Sequence, residues 1–194
     1  IKVGDKLEID PISTSFSQSV EDVTIADIDK KIVSEIGIIK LEDIEPSDVD
    51  PFVFRDIYPD IENIDNGTSS SIPEFEITPI LNPFSFDDFG YAEFSSGYLR
   101  ITIDNGMVIP LGPPVLVQLQ QLNGTDTVNI EGGSIEFNAL IDANGGSATD
   151  SLDLSGMTLP GSIFVRVTGN CQGTSGIAIN IDEDAKNSSF VVGI

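Results

Sequence analysis

The chain has 194 residues, with 32 Asp and Glu against nine Lys and Arg, a formal net charge of −23, and no His or Trp. Without His, no Ser-His-Asp or Cys-His catalytic group can form and no imidazole can bind a metal. Without a cluster of Lys and Arg, the chain cannot hold a nucleic-acid backbone or an anionic membrane surface. We therefore expect no enzyme activity and no nucleic-acid partner.

The composition still supports a folded core. Hydrophobic residues make up 40% of the chain, and 18 Gly with 11 Pro suit many turns between strands. The single cysteine, Cys171, allows no intrachain disulfide, and we expect it to be a buried small apolar residue. No apolar run approaches the length of a membrane span, so none is expected.

Residues 1–80 are interpreted as an acidic, Ile-rich strand segment followed by a Pro-rich linker. Strands are predicted at 1–9, 16–25 and 35–44, whereas the Ile spacing over 25–34 leaves helix and strand open. Six prolines between 45 and 83 predict an extended path, laid across a scaffold or linking two parts. Residues 65–71 predict a flexible loop.

Residues 81–194 are predicted to form an antiparallel β-sandwich domain, immunoglobulin-like in its arrangement. Short alternating runs separated by turn residues predict strands at 91–103, 115–122, 127–130, 133–141, 149–154, 161–168, 176–181 and 189–194. Asn105-Gly106 predicts a hairpin turn after the first of these runs. The final run ends without a polar tail, which is typical of a fragment of a longer chain or of a terminus that is tucked into a sheet.

Alternation also predicts which side chains form the core, because every second residue of a strand lies on the same face. The predicted core comprises Phe94, Leu99, Ile101, Ile103, Val115, Val117, Leu119, Ile135, Phe137, Leu152, Leu154, Ile163, Val165 and Val167.

Three stretches carry a family resemblance. Residues 94–105, FSSGYLRITIDN, and residues 148–160, ATDSLDLSGMTLP, resemble two motifs of β-sandwich domains in large bacterial envelope proteins. Those domains are similar to the sandwich of late-embryogenesis-abundant proteins. Residues 1–7 are similar to a segment upstream of such domains. The resemblance implies a non-enzymatic β module located at the cell surface, in the outer envelope or in the extracellular space.

Calcium is the candidate cofactor, because Asp and Asn side chains in Gly-containing loops offer the oxygen ligands that calcium prefers. Asp142 and Asn144 are candidate ligands in one loop, and Asp182 and Asp184 in another. Solvated turns are the alternative interpretation of both pairs. Glycan binding has only Tyr58, Tyr91 and Tyr98 as candidate aromatic platforms, and half-buried strand positions are the alternative for these.

The sequence thus favours a non-catalytic structural or adhesive module of a bacterial envelope or extracellular protein. Its partners would be other parts of the same polypeptide or envelope proteins. One alternative is a self-assembling surface-layer or filament subunit that adds an Ile-rich strand to a neighbouring copy. The other is a calcium- or glycan-binding accessory domain.

Overall fold

The computed structural model describes residues 47–86 and 89–194. They belong to one compact unit, Glu45–Ile194. The strands predicted at 1–9, 16–25 and 35–44, and the undecided stretch 25–34, lie outside the described residues. Most of the described residues lie in antiparallel strands, and the predicted all-β, sandwich-like fold is confirmed.

Short strands of the predicted kind account for most elements of this unit. The strands are β1 (Phe52–Val53), β2 (Thr68–Ser70), β3 (Phe75–Glu76), β4 (Ile80–Ser85), β5 (Tyr91–Glu93), β6 (Tyr98–Asn105), β7 (Val115–Asn123), β8 (Asp126–Phe137), β9 (Gly146–Asp153), β10 (Thr158–Pro160), β11 (Ser162–Cys171), β12 (Ile179–Ile181) and β13 (Ser189–Gly193). Two short helices, α1 (Phe54–Ile57) and α2 (Glu183–Asn187), and a 3₁₀ turn (Pro59–Asn63) complete the unit as described.

Two larger sheets carry the core. The first has four strands in the order β1-β13-β6-β9. The second has β11 at its centre, with β7 and then β8 on one side and the successive short strands β4 and β3 on the other. Two small sheets pair β5 with β10 and β2 with β12. Next to β1, Ser47 and Ile194 exchange two backbone hydrogen bonds of 2.9 Å.

Alternation along the strands fills the core as predicted. Twelve of the fourteen predicted core residues are buried, including Ile163, Val165 and Val167 along β11. The other two, Phe94 and Leu99, are only partly buried and pack against the core. Leu99 lies near the start of β6, whereas β13 covers β6 only from Thr102 to Asn105, so less protein surrounds Leu99.

The Pro-rich region is part of this unit, so the boundary predicted at residue 80 falls inside it. The sequence left two possibilities for this region, a path across a scaffold or a link between two parts. The described residues follow the first, because β1 pairs with β13, and both β3 and β4 pair with β11. The prolines alternate with apolar side chains that are fully or almost fully buried. These are Val49, Phe52, Phe54, Ile57, Ile61, Ile72 and Ile77.

The hairpin predicted at Asn105-Gly106 is wrong. β6 pairs with β9 and β13, and the chain after Asn105 crosses to β7 in the other sheet. The Asn105 amide is buried and donates to the carbonyl oxygens of Ile109 at 3.0 Å, Asp142 at 3.0 Å and Ile141 at 3.3 Å. Its own oxygen accepts from the Met107 backbone N–H at 3.0 Å, so this Asn holds a crossover rather than a tight turn.

An Asn-Gly hairpin occurs instead between β7 and β8. Asn123 pairs directly with Asp126, which leaves Gly124 and Thr125 as a two-residue turn, and Gly124 has a φ of +69° that suits Gly. The two strands predicted at 127–130 and 133–141 form one strand, β8, with a bulge opposite Leu119. Space is tight there, since a Cβ at Gly133 would lie 3.0 Å from the Ile130 carbonyl oxygen.

Two other local predictions differ from the structure. Residues 65–71 were predicted to be a flexible loop, but Thr68–Ser70 forms β2 and pairs with β12. The stretch after β12 carries no helical periodicity in the sequence, yet it forms α2, whose first turn is capped by the Asp182 side chain. Short elements of this kind depend on contacts with distant residues, which local sequence patterns do not encode.

Candidate functional site

The outer face of the five-stranded sheet differs in character from the rest of this acidic molecule. Cross-strand pairing places Pro83, Phe164 and Gln120 in one row, and Leu81, Arg166 and Gln118 in the next. Ser85 and Ser162 belong to a further row at the end of the sheet. We name this surface the amide face, and it comprises Leu81, Pro83, Ser85, Gln118, Gln120, Leu122, Ser162, Phe164 and Arg166.

Polar side chains on the amide face are linked to one another. Arg166 Nη1 donates to Gln118 Oε1 at 3.3 Å, which joins β11 to β7. Gln120 Nε2 donates to Asn129 Oδ1 at 2.7 Å, which joins β7 to β8. The hydroxyl oxygens of Ser85 and Ser162 lie 3.1 Å apart. These contacts order the side chains before any ligand arrives.

Apolar side chains lie between these polar groups. Leu122 is 61% exposed and Leu81 is 41% exposed, Pro83 is also exposed, and Phe164 is half-buried. At one end of the face a shallow depression of about 350 Å³ is lined by Pro83, Leu122, Pro160 and Phe164, with the hydroxyls of Ser85 and Ser162 among its polar groups. The depression is therefore mainly apolar, with hydroxyl groups along it.

An exposed aromatic ring lies beside this depression. Tyr91 of β5 is the cross-strand partner of Pro160, and it is 62% exposed. Of the three tyrosines weighed as glycan platforms, Tyr58 is stacked on Phe75 with ring centroids 4.3 Å apart, so its ring is engaged in packing. Tyr98 is 75% exposed, but it lies on the four-stranded sheet. Tyr91 is the tyrosine nearest to the amide face in the strand order.

The amide face carries one positive charge, Arg166, and none of its members is acidic. Of the nearby acidic residues that the structure describes, Glu136 lies opposite Leu116 and Glu76 opposite Asn170, both toward the other end of β11 from the depression. Glu131 is exposed in the β8 bulge, between the partners of Gln118 and Gln120. In a chain with 32 acidic residues, the absence of an acidic member distinguishes the amide face.

The alternation that the sequence analysis used for the core also contains the signal for this face. In residues 115–119 the inward positions Val115, Val117 and Leu119 are apolar, and the alternate positions over 116–122 are Leu116, Gln118, Gln120 and Leu122. A solvent-facing strand of so acidic a protein would ordinarily carry charge at such positions. The inward residues predict the core, and the uncharged alternate residues are the signal for the amide face.

The calcium candidates lie in two separate places. Asp142 and Asn144 share the loop before β9, where the Asp142 carbonyl binds the Asn105 amide and Asn144 has a φ of 56°. Asp182 caps α2, accepting from Ala185 N–H at 2.9 Å and from Asn180 Nδ2 at 2.8 Å, and Asp184 is exposed in the first helical turn. Within residues 47–86 and 89–194 no three acidic or cysteine side chains converge on a metal-sized site. Calcium binding stays a prediction.

An ion-pair network that the sequence did not predict joins α1 to α2. The Arg55 guanidinium forms an ion pair with Glu183, and Arg55 Nε lies 3.2 Å from Glu62 Oε1. Asn66 Nδ2 donates to the other Glu183 oxygen at 3.0 Å. The hydrogen bonds from Arg55 and Asn66 hold the pKa of Glu183 below its ordinary value. Lys186 is buried and donates to the Ile64 carbonyl at 2.7 Å. We name this set of contacts between α1 and α2 the clamp; it comprises Arg55, Glu62, Asn66, Glu183 and Lys186.

Cys171 is buried at the end of β11, as predicted for a small apolar residue. Burial raises the pKa of its thiol to about 12, so little reactive thiolate forms at neutral pH. The thiol therefore behaves as part of the core.

The free edges of the two larger sheets bear on the predicted self-association. In the part of the chain that the structure describes, β8 pairs only with β7 and β9 only with β6, so each has an open edge. The β8 edge is interrupted by its bulge, and β9 carries Asp150 and Asp153. Bulges and charges on an edge oppose the addition of another strand. Self-association by strand addition stays a prediction.

No family model, curated protein or solved structure matches this chain. Among the described residues, no helix is long and apolar enough to cross a membrane.

Proposed function

We propose that this chain is a non-catalytic adhesive module of a bacterial envelope or extracellular protein. Its binding surface is the amide face, and its partner is an uncharged surface rich in hydroxyl or amide groups. The observation that carries the proposal is the concentration of uncharged polar and apolar side chains on one sheet face of a chain with a net charge of −23.

Charge supports an uncharged partner. The acidic residues elsewhere on the chain repel anionic polymers, while a single Arg166 already bonded to Gln118 gives little attraction for them. An uncharged partner suffers no such repulsion, and it can replace water on the exposed Leu81 and Leu122 side chains. Gln120 is buried, so it is the Gln118 amide that supplies directed hydrogen bonds to fix the partner's orientation.

The envelope location rests on the resemblance stated for the sequence, and the fold is compatible with it. Residues 94–105 include β6 and residues 148–160 include most of β9 and all of β10. Both stretches are thus strands of the sandwich, and motifs with this role specify architecture rather than chemistry. A sandwich that presents a partner-binding sheet face is suited to adhesion outside the cytoplasm.

Bead retention under flow tests the proposal. Beads carrying the full chain pass over films of agarose, gelatin and heparin, which represent a neutral glycan, a protein and an acidic glycan. We expect retention on the agarose film or the gelatin film, loss of that retention in Leu122→Glu, and retention unchanged in Tyr98→Glu. The two variants add the same charge at exposed positions on opposite sheets.

Two results would overturn the amide face as an adhesive surface. One is a failure of the unmodified chain to hold beads on either the agarose film or the gelatin film. The other is an equal effect of Leu122→Glu and Tyr98→Glu, because general repulsion from one added charge would then explain the loss. Stronger retention on heparin than on agarose or gelatin would contradict the uncharged partner.

A further inference from the structure

We propose that the depression at the end of the amide face binds a neutral hexose-type oligosaccharide. One sugar ring lies on Pro83, Phe164 and Leu122, and its hydroxyl groups bond to Ser85 and Ser162. This inference rests on the proposed function and names the chemistry of its partner. It concerns binding alone, with no bond made or broken in the sugar.

The lining of the depression matches the two-sided character of a pyranose ring. Such a ring presents C–H groups on its face and hydroxyl groups around its rim. The half-buried Phe164 ring and the Pro83 and Leu122 side chains offer an apolar surface for the C–H groups. Ser85 and Ser162 each have a hydroxyl that can donate and accept, and their oxygens are 3.1 Å apart.

Further polar groups continue along the sheet from the depression. Residues two apart on one strand face are separated by about 6.6 Å, so Arg166 lies roughly 13 Å from Ser162 along β11. Arg166 and Gln118 are held together at 3.3 Å, with several donors on the guanidinium. This length accommodates a second and a third ring of a linear chain, whose hydroxyls would reach this pair.

Size argues for a small linear ligand over a second copy of the chain. With strands about 4.8 Å apart, the three strands of the amide face span roughly 14 Å, and with roughly 13 Å along β11 its area is about 200 Å². A stable protein dimer ordinarily buries about 800 Å² on each partner. An oligosaccharide needs much less area, and a mainly apolar depression with a few placed polar groups suits a small ligand.

Charge selects the neutral sugar over an acidic one. The side chains named in the depression are all uncharged, and Arg166 at the far end is already engaged with Gln118. A uronic acid or sulfated sugar would meet the repulsion of a net charge of −23 without a cationic group in the depression to offset it.

Isothermal titration of the full chain tests the inference with linear oligosaccharides of glucose, galactose, mannose, xylose and N-acetylglucosamine. We expect binding to at least one series, and we expect Phe164→Ala and Ser162→Val each to weaken it at least tenfold. Tyr98→Ala, on the other sheet, is the control and leaves the affinity unchanged. Because Phe164 is half-buried, Leu122→Ser at a 61% exposed position serves as a second variant that keeps the fold.

Absence of binding to every series overturns the glycan inference, as does binding that survives all three face variants. Binding that is equally weakened by Tyr98→Ala overturns it as well. The two proposals fail in different ways. If beads are held on gelatin through the amide face but no oligosaccharide binds, the adhesive function stands and the glycan inference fails. Glycan binding without retention on any film retains the glycan site and removes the adhesive function.

Discussion

The two larger sheets share one core but present different faces to solvent. The outer face of the four-stranded sheet carries Arg100, Asp104 and Asp153, and a hydroxyl pair in which the Thr102 and Thr149 oxygens are 2.9 Å apart. The amide face carries leucines, amides and one Arg instead. Charged groups favour hydration of the four-stranded sheet, whereas the amide face, which has no acidic member, is the surface to which we assign the proposed partner.

Both sheets pack on the same interior, and Asn105 lies where the chain crosses from one sheet to the other. Asn105→Asp should therefore lower the free energy of unfolding more than the other substitutions, because the new carboxylate would face the carbonyls of Ile109, Ile141 and Asp142. An uncompensated buried charge costs about 3–5 kcal/mol of unfolding free energy. The loss is expected to shrink at low pH, where the carboxyl is protonated, and denaturant titration at several pH values measures it.

Asn123→Asp is the matched control for Asn105→Asp. Asn123 also precedes a Gly, but it is exposed in the β7–β8 turn. We expect little change in stability from it. Equal losses from the two variants would mean that the amide of Asn105 does not brace the crossover between the sheets.

A fully buried core residue and a half-buried one should differ sharply in their contribution to stability. Val165 is fully buried on β11, and Val165→Ala should lower the unfolding free energy by about 2–4 kcal/mol. Leu99→Ala on the four-stranded sheet should cost less, about 1–2 kcal/mol, because Leu99 is only half-buried. Urea titrations of both variants measure the difference, and a larger loss at Leu99 would reverse our assignment of which position is the more enclosed.

The clamp between α1 and α2 should give a small, pH-dependent effect beside the four-stranded sheet. The pKa of Glu183 is lower in the folded protein than its ordinary value of 4.5. Its stabilising contribution is therefore complete above that value and is lost as the pH falls through the folded-state pKa. Glu183→Gln should lower the unfolding midpoint at pH 7 and approach the unmodified chain in acid.

Glu136→Gln is the control for Glu183→Gln, because Glu136 has no ion-pair partner among the described residues. It removes the same charge from an exposed strand position. A stability difference for Glu183→Gln that stays constant between pH 7 and strong acid would contradict the role given to Arg55.

The smallest effects are expected on the two outer faces themselves. Leu122→Gln and Tyr98→Gln change side chains that are 61% and 75% exposed, and each should alter stability by no more than about 0.5 kcal/mol. Thermal melts of the two variants make the measurement. A Leu122→Gln loss as large as that of Val165→Ala would mean that the amide face is covered in the folded protein and is not free for a partner.

The sequence predicted the parts of this fold that depend on local alternation. Runs such as Val115-Leu116-Val117 state which residues face inward, and the inward set is buried. It could not state which strands pair. Asn105-Gly106 has the composition of a tight turn, but the buried hydrogen bonds that hold Asn105 come from residues up to 37 positions away.

The candidate site was beyond the sequence for the same reason. Phe164, Pro83 and Gln120 come from three strands separated by long stretches of chain, and only the sheet registers bring them into one row. For the Pro-rich stretch, the prolines predict an extended backbone but do not state which strands that backbone lies against. Residue types alone therefore indicated an uncharged strand face but not its extent.

The paired ends of the described unit have a mechanical consequence. Ser47 and Ile194 are joined by two hydrogen bonds, and the chain beside them continues into β1 against β13. A force that pulled Ser47 and Ile194 apart would act on the end of this short antiparallel pairing. Its hydrogen-bonded pairs would therefore break one after another. The amide face belongs to the other sheet. A force applied there by a bound partner would therefore reach the bonds between Ser47 and Ile194 through the core, and β1 would be the first strand to separate.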